Sequence, residues 1–142
     1  FPNVISVPRG APKNVAEGVP PPDEDTNFRY LWPAYERLRN KKRIIIATDM
    51  DGPGNALAEE LARRIGKEKC WRVTWPDGFN APCKDANETL MAHGAGSVAA
   101  ALLQAAPWPI DGVFEASAFF DATIQLYRSG RSRGLEFPHE CS

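Results

Sequence analysis

The run Ile44-Ile45-Ile46-Ala47-Thr48-Asp49-Met50-Asp51-Gly52-Pro53-Gly54 constrains this chain more than any other. Four apolar residues in unbroken succession, Ile44 to Ala47, suit a strand covered on both faces, as in a parallel sheet. The run ends in two aspartates one residue apart and a Gly-Pro-Gly turn, and Asn55 to Arg64 then form helix-favouring sequence. Extended residues at i and i+2 share a face, so Asp49 and Asp51 point the same way at the strand's carboxyl end. Ligands of such sheets bind beyond those ends. Two carboxylates with little nearby to neutralise them suit Mg²⁺, which takes oxygen ligands and sits between one or two carboxylates and substrate phosphates. The stretch implies phosphoryl-transfer chemistry on a nucleotide or nucleic acid.

Around it, strands and helices alternate. Val4 to Val7 is expected as a short strand stopped by Pro8, and Arg9 to Asp25, rich in proline and glycine, as an extended surface loop. Asp23 to Thr26 carry a helix-start signal. Phe28, Leu31, Trp32, Tyr35 and Leu38 then recur at helical spacing to Arg39, and Pro33 sets a helix start or kink near itself. Arg43 to Thr48 is expected as the central strand. The following helix opens at Pro53 or Gly54, turns Leu57, Leu61 and Ile65 inward, and stops at Gly66. Cys70 to Trp75 alternates Trp71, Val73 and Trp75 against Arg72 and Thr74, a further strand. Pro76 to Lys84 is a loop. A short helix follows from Asp85 to Met91, ending near Gly94, and a second from Ser97 to Ala105, broken by Pro107 and Pro109. Ile110 to Phe114 reads as a short strand or extended arm. Ala116 to Arg128 reads as a helix with Phe119, Phe120, Ile124 and Tyr127 on its apolar face, serving as a small core stripe or a docking face. Ser129 to Ser142 reads as a polar, flexible tail. The pattern is an α/β layer with a mainly parallel sheet.

The 142 residues suit one domain with a modest core. A net charge of −1 provides no global positive field for nucleic acid, so any such contact is local or made within a larger assembly. Cys70, Cys83 and Cys141 are far apart, odd in number and without a CxxC pair, which argues against zinc and for a reducing compartment. No apolar run approaches the ~20 residues of a membrane span. Packing accounts for Trp32, Trp71, Trp75 and Trp108 better than base stacking. A solvated, mixed-charge helix end accounts for Arg63, Arg64, Lys67, Glu68 and Lys69. Arg128, Arg131 and Arg133 fit a solvated tail, and His93 and His139 have no ligand spacing.

Two further elements fit a metal site. Asp85 falls at a junction where a third carboxylate can converge with the first two, and Lys84 beside it can meet a phosphate. The helix start at Gly54-Asn55 offers free N–H groups to an anion. Each element also has a plain structural explanation: Asp51 as a turn and helix cap, Asp85 as the N-cap of its helix, Lys84 as a solvated lysine.

In series, IIIATDMDGPGNALAEELARRIGKEKCWRVTWP and KDANETL resemble the TOPRIM domain of Twinkle-type organellar primase–helicases and their phage relatives. The resemblance extends upstream through VISVPRGAP and DEDTNFRYLW and weakly downstream through PWPIDGVFE, about residues 3 to 115. It implies a TOPRIM-like (Rossmann-like) α/β fold over 1–115, with 116–142 a helix and tail leading toward a helicase domain. It implies that Asp49, Asp51 and Asp85 are the catalytic, metal-binding acids for Mg²⁺, with Mn²⁺ an acceptable substitute. Lys84, Asn87 and Gly54 would support phosphate or nucleic acid. Single-stranded DNA and nucleotides are the implied ligands, and mitochondrion or plastid the implied compartment.

One departure matters. The family's glutamate motif, EGExD, belongs about a helix upstream of VISVP, and Phe1 stands almost at that strand. The domain's first strand and helix are therefore expected to be missing, as are zinc-ribbon cysteines and a GxxxxGKS/T loop. Two Mg²⁺ ions ~3.5–4 Å apart need more carboxylates than three aspartates supply. The expectation is a TOPRIM segment of a primase–helicase, inactive by itself, whose exposed sheet edge is covered by further chain or by a partner. The alternative is a non-catalytic TOPRIM-derived structural or binding subunit. A small TOPRIM nuclease or maturase-like hydrolase comes third.

Overall fold

Apolar periodicity and turn chemistry produce a short three-stranded sheet with helices on both faces. The computed structural model describes residues 3–8, 10–78, 81–114 and 116–129. Helix α1 (Trp32–Arg39) begins where Pro33 fits the first turn of a helix, so the proline marks a start and not a kink. Strand β1 (Ile44–Ile46) leads into α2 (Gly52–Ile65), which ends at Gly66 with φ 111°, a conformation that suits glycine. A 3₁₀ turn, Lys67–Lys69, leads to β2 (Cys70–Arg72). Helix α3 (Ala86–Leu103) is two helices meeting at Gly94, where φ 80° and ψ 176° break the helical path. Strand β3 is Ala106–Pro107.

The sheet order is β1-β2-β3. β1 and β2 run parallel, with Ile45 opposite Trp71, and α2 supplies the crossover that parallel neighbours require. β3 is antiparallel to β2, so the sheet is mixed where a mainly parallel one was expected. Pro107 lies on this outer strand, where a missing N–H is tolerated.

Each sheet face carries its own core. On one, Ile46 and Cys70 meet Leu57, Ala58, Leu61, Ala62 and Ile65 of α2, with Phe28 and Leu31. Burying each leucine or isoleucine contributes about 1.5–3 kcal/mol. On the other, Val73 and Trp75 pack with Cys83, Ala101 and Ala105, and Trp71 lies against them. The alternation of Trp71, Val73 and Trp75 is thus a packing pattern. Trp75 is buried, and Trp108 is partly buried against the first core. Burial pushes the Cys70 thiol up to about 11, as does the charge of Glu68, which keeps it an unreactive core residue.

Four expectations need correction. Ile44 to Ile46 form an edge strand and not the central one, and Ile45 is 38% exposed. Three successive isoleucines look alike at an edge and at a centre, because strand order is set by distant pairing. Val4 to Val7 form no strand; Val4 and Ile5 are exposed, and no ladder partner engages them among the described residues. Ile110 to Phe114, expected as a strand or an extended arm, instead turns at Asp111 and Gly112, where Val113 N donates to Ile110 O at 3.0 Å. Arg64 is not solvated: it is buried with Asp25 and Glu60. Its Nε donates to Asp25 Oδ2 at 2.6 Å, its Nη1 pairs with Glu60 Oε2, and its guanidinium carbon lies 3.9 Å from the Phe28 ring centroid. Glu60 Oε1 also accepts from Ala16 N at 2.5 Å, and Arg63 donates to Ala16 O at 2.7 Å, tying the proline-rich loop to α2.

The chain divides into two compact units, 1–109 and 110–142. In the second, a 3₁₀ turn (Ala116–Phe119) leads into α4 (Phe120–Ser129), with Phe119, Phe120, Leu126 and Tyr127 exposed. The tail expected beyond Ser129 lies outside the described residues, with Arg131, Arg133, His139 and Cys141. Among the described residues no helix is long and apolar enough to cross a membrane.

Candidate metal centre

The acidic turn occupies the carboxyl end of β1, where the backbone leaves the sheet for α2. Asp51 is extended (φ −87°, ψ 176°), and its Oδ1 accepts from Gly54 N at 2.7 Å, making it the N-cap of α2. Asp49 is exposed. The turn is tight because α2 begins against it: a Cβ on Gly54 would lie 2.2 Å from the Asp49 carbonyl oxygen and 2.8 Å from its Cβ. Only glycine permits that approach. Thr48 Oγ1 donates to Gly54 O at 2.6 Å, and Trp75 Nε1 donates to Thr48 O at 3.2 Å, so the second core holds the turn from below.

The second acidic element is the start of α3. Asp85 Oδ1 accepts from Glu88 N at 2.7 Å, and Glu88 Oε2 reaches back to accept from Lys84 N at 2.9 Å. This closely resembles a capping box, shifted by one residue on the return bond. Lys84 Nζ lies 3.6 Å from Glu88 Oε1, with both side chains about half exposed. Asn87 is exposed in the first helical turn.

One backbone bond joins the two elements: Met50 N donates to Lys84 O at 2.7 Å. Residues more than thirty apart in sequence thus flank each other, with Asp49 and Asp51 on one side and Lys84 and Asp85 on the other. The plain structural readings of Asp51 and Asp85 as caps hold. They are compatible with ligand duty, since a carboxylate has about four lone-pair sites and each cap uses one.

Arg72 escaped the sequence reading. From the last residue of β2 its guanidinium reaches the acidic turn: Nη1 donates to Thr48 Oγ1, and Nη2 lies 3.0 Å from both Asp49 O and Asn55 Oδ1. Burial draws this group below its usual value, against the opposing charge of Asp49. The available signal was an arginine on the polar side of the Trp71-Val73-Trp75 alternation, beside the strand that ends in the acidic turn.

Among the described residues no three acids, histidines or cysteines gather into a group that could hold an ion. An all-protein cage is therefore not built. The donors fit the looser mode natural to Mg²⁺, in which one or two carboxylates share the ion with waters and substrate phosphates. Asp49 and Asp51 would hold it.

The fold and site define an α/β module with an acidic strand-end turn beside a second, acid-capped helix. No family model matches the chain. It is 47% identical over 139 residues, 96% of its length, to the Twinkle homolog protein, chloroplastic/mitochondrial, of Arabidopsis thaliana. It is 50% identical over 112 residues, 78% of its length, to the Primase homolog protein of the same plant. The chain spans 19% and 33% of the lengths of these relatives. The chain is thus homologous to one segment of a Twinkle homolog protein and of a Primase homolog protein.

Proposed function

We propose that this chain is a TOPRIM-type segment of an organellar primase–helicase, and that its acidic edge serves Mg²⁺-dependent RNA primer synthesis on single-stranded DNA. The observation that carries the reading is the Met50–Lys84 backbone bond, which sets the acidic turn beside the acid-capped start of α3 at the sheet's carboxyl end. The Twinkle and primase relatives supply the reaction class, and the chloroplastic/mitochondrial name of one supports the compartment. Bound Mg²⁺ would supply neutralisation of phosphate charge. The chain's own part is to present Asp49 and Asp51 on a rigid turn, with Asp85 adding negative charge from the neighbouring start of α3 without joining them in a three-acid group. Lys84 and Asn87 face incoming phosphate, and Mn²⁺ substitutes for Mg²⁺. The start of α2 does not offer the free N–H groups expected of it, because Gly54 N is bonded to Asp51 Oδ1 and Asn55 N to Asp51 O.

A second reading has a specific observation behind it. Asp51 and Asp85 both cap helices, and no three-acid group is assembled among the described residues. That favours a non-catalytic module that keeps the fold and binds within a larger assembly.

Grafting this chain in place of the matched segment of the Arabidopsis Twinkle homolog separates the two. Under the catalytic reading the graft makes RNA primers on single-stranded DNA, and the Asp49→Asn/Asp51→Asn graft makes none. Equal priming by both grafts would sink that reading. A graft that unwinds DNA but never primes supports the non-catalytic one.

A further inference from the structure

An acidic turn at a sheet edge needs something to hold its shape, and here the support comes from the neighbouring strand. We infer that Arg72 is a positioning residue: with Asn55 it braces the Asp49–Asp51 turn so that the two carboxylates are presented together to a divalent cation. The inference rests on the metal-binding reading above.

The brace is a closed set of bonds. Arg72 Nη2 is shared between Asp49 O and Asn55 Oδ1, each at 3.0 Å, while Nη1 holds Thr48 Oγ1. Thr48 Oγ1 in turn donates to Gly54 O at 2.6 Å. Asn55 Nδ2 approaches Met50 O at 3.5 Å, closing the loop from the helix side. Three points of the turn, at Thr48, Asp49 and Met50, are thus held by two side chains anchored in β2 and α2, and the Thr48 hydroxyl carries the hold on to Gly54. A planar guanidinium matches several acceptors at once, and an ammonium on a flexible stem does not.

Two effects of Arg72 on a bound cation oppose each other. Its positive charge weakens binding, and its geometry strengthens it by sparing the turn the entropy of ordering. Groups that orient metal ligands typically change affinity by roughly 10- to 100-fold when removed. The geometric effect is expected to win, since the bonds to Thr48, Asp49 and Asn55 are multiple and direct.

Arg72→Lys keeps the charge and removes the fork, so it isolates geometry. Two readouts are taken on the whole chain: Mn²⁺ affinity, and amide hydrogen exchange at Met50, Gly54 and Asn55 without metal. The expected result is Mn²⁺ affinity weaker by roughly tenfold or more, with faster exchange confined to those amides and exchange in the Leu57–Ile65 part of α2 unchanged. Unchanged Mn²⁺ affinity in Arg72→Lys, with the wild type binding normally, overturns the positioning role and leaves the metal site standing. Arg72→Gln binding Mn²⁺ more tightly than wild type also overturns it, since charge would then dominate. If the wild-type chain binds no Mn²⁺, the metal reading itself fails. The exchange data then decide whether the brace exists, and unaltered exchange removes it as well.

Discussion

Two groups of charged residues in this chain are built from the same chemistry and treated in opposite ways. Asp25, Glu60 and Arg64 are enclosed, with every carboxylate aimed at an arginine or a backbone N–H. Asp49 and Asp51 lie at the exposed end of β1, and the arginine beside them bonds the backbone of the turn rather than its carboxylates. In the first group charge is consumed by the fold, fastening a proline-rich loop to α2. In the second the fold holds the main chain and, apart from the Asp51 Oδ1 that caps α2, leaves the acidic oxygens for something else. A buried ion network tolerates no missing partner, whereas an exposed acidic pair can lose a charge at little structural cost. The comparison separates residues that build the molecule from residues available for chemistry.

The strongest way to break it is Arg64→Met. Removing one partner of a buried network leaves uncompensated charge, and the expected loss is about 3–5 kcal/mol, read by urea unfolding at neutral pH. The network also has a pH signature. Burial pushes the Asp25 carboxyl up, but the hydrogen bond from Arg64, the Phe28 N–H, the Arg64 charge and Trp32 outweigh it and hold the group below its usual 3.8. With the folded value below the unfolded one, this stability is fully present above the unfolded value and is lost as pH falls through the folded value. Unfolding followed from pH 7 downward should show a decline setting in below about pH 4, and Asp25→Asn should flatten it from a lower starting stability.

At the acidic turn the effects are smaller and local. Gly54→Ala forces a Cβ against the Asp49 carbonyl, with an expected cost of about 1–3 kcal/mol and weaker cation binding, because the turn must open. Asp51 sharpens the comparison most finely. Asp51→Ala loses the α2 cap at a cost of about 1 kcal/mol, whereas Asp51→Asn keeps the cap and is close to neutral in stability. Both should impair cation binding. A stability loss in Asp51→Asn as large as in Asp51→Ala would place Asp51 with the structural charges.

Local signals carried far in the sequence and long-range ones did not. Pro53, Gly66 and the Leu57-Leu61-Ile65 stripe marked α2, because capping and periodicity are properties of adjacent residues. Gly94 marked the break in α3 for the same reason. The edge position of β1 was hidden, since it depends on which strands pair. Arg64 was misjudged because its partner Asp25 lies 39 residues away and its local context, Arg63 to Lys69, is that of a solvated helix end. At the candidate site, both acidic elements were visible as motifs. Their contact through Met50 and Lys84, and the reach of Arg72 to the turn, depend on tertiary folding and needed the structure.

The central claim is that the exposed acidic pair is a cation site and not merely a capped turn. Mn²⁺ titration of the chain at neutral pH, monitored by electron paramagnetic resonance, against an Asp49→Asn/Asp51→Asn variant of matched stability tests it directly. Saturable binding by the wild type, abolished in the variant and competed by Mg²⁺, is the predicted result. Equal binding by the two chains, or none by either, would contradict it.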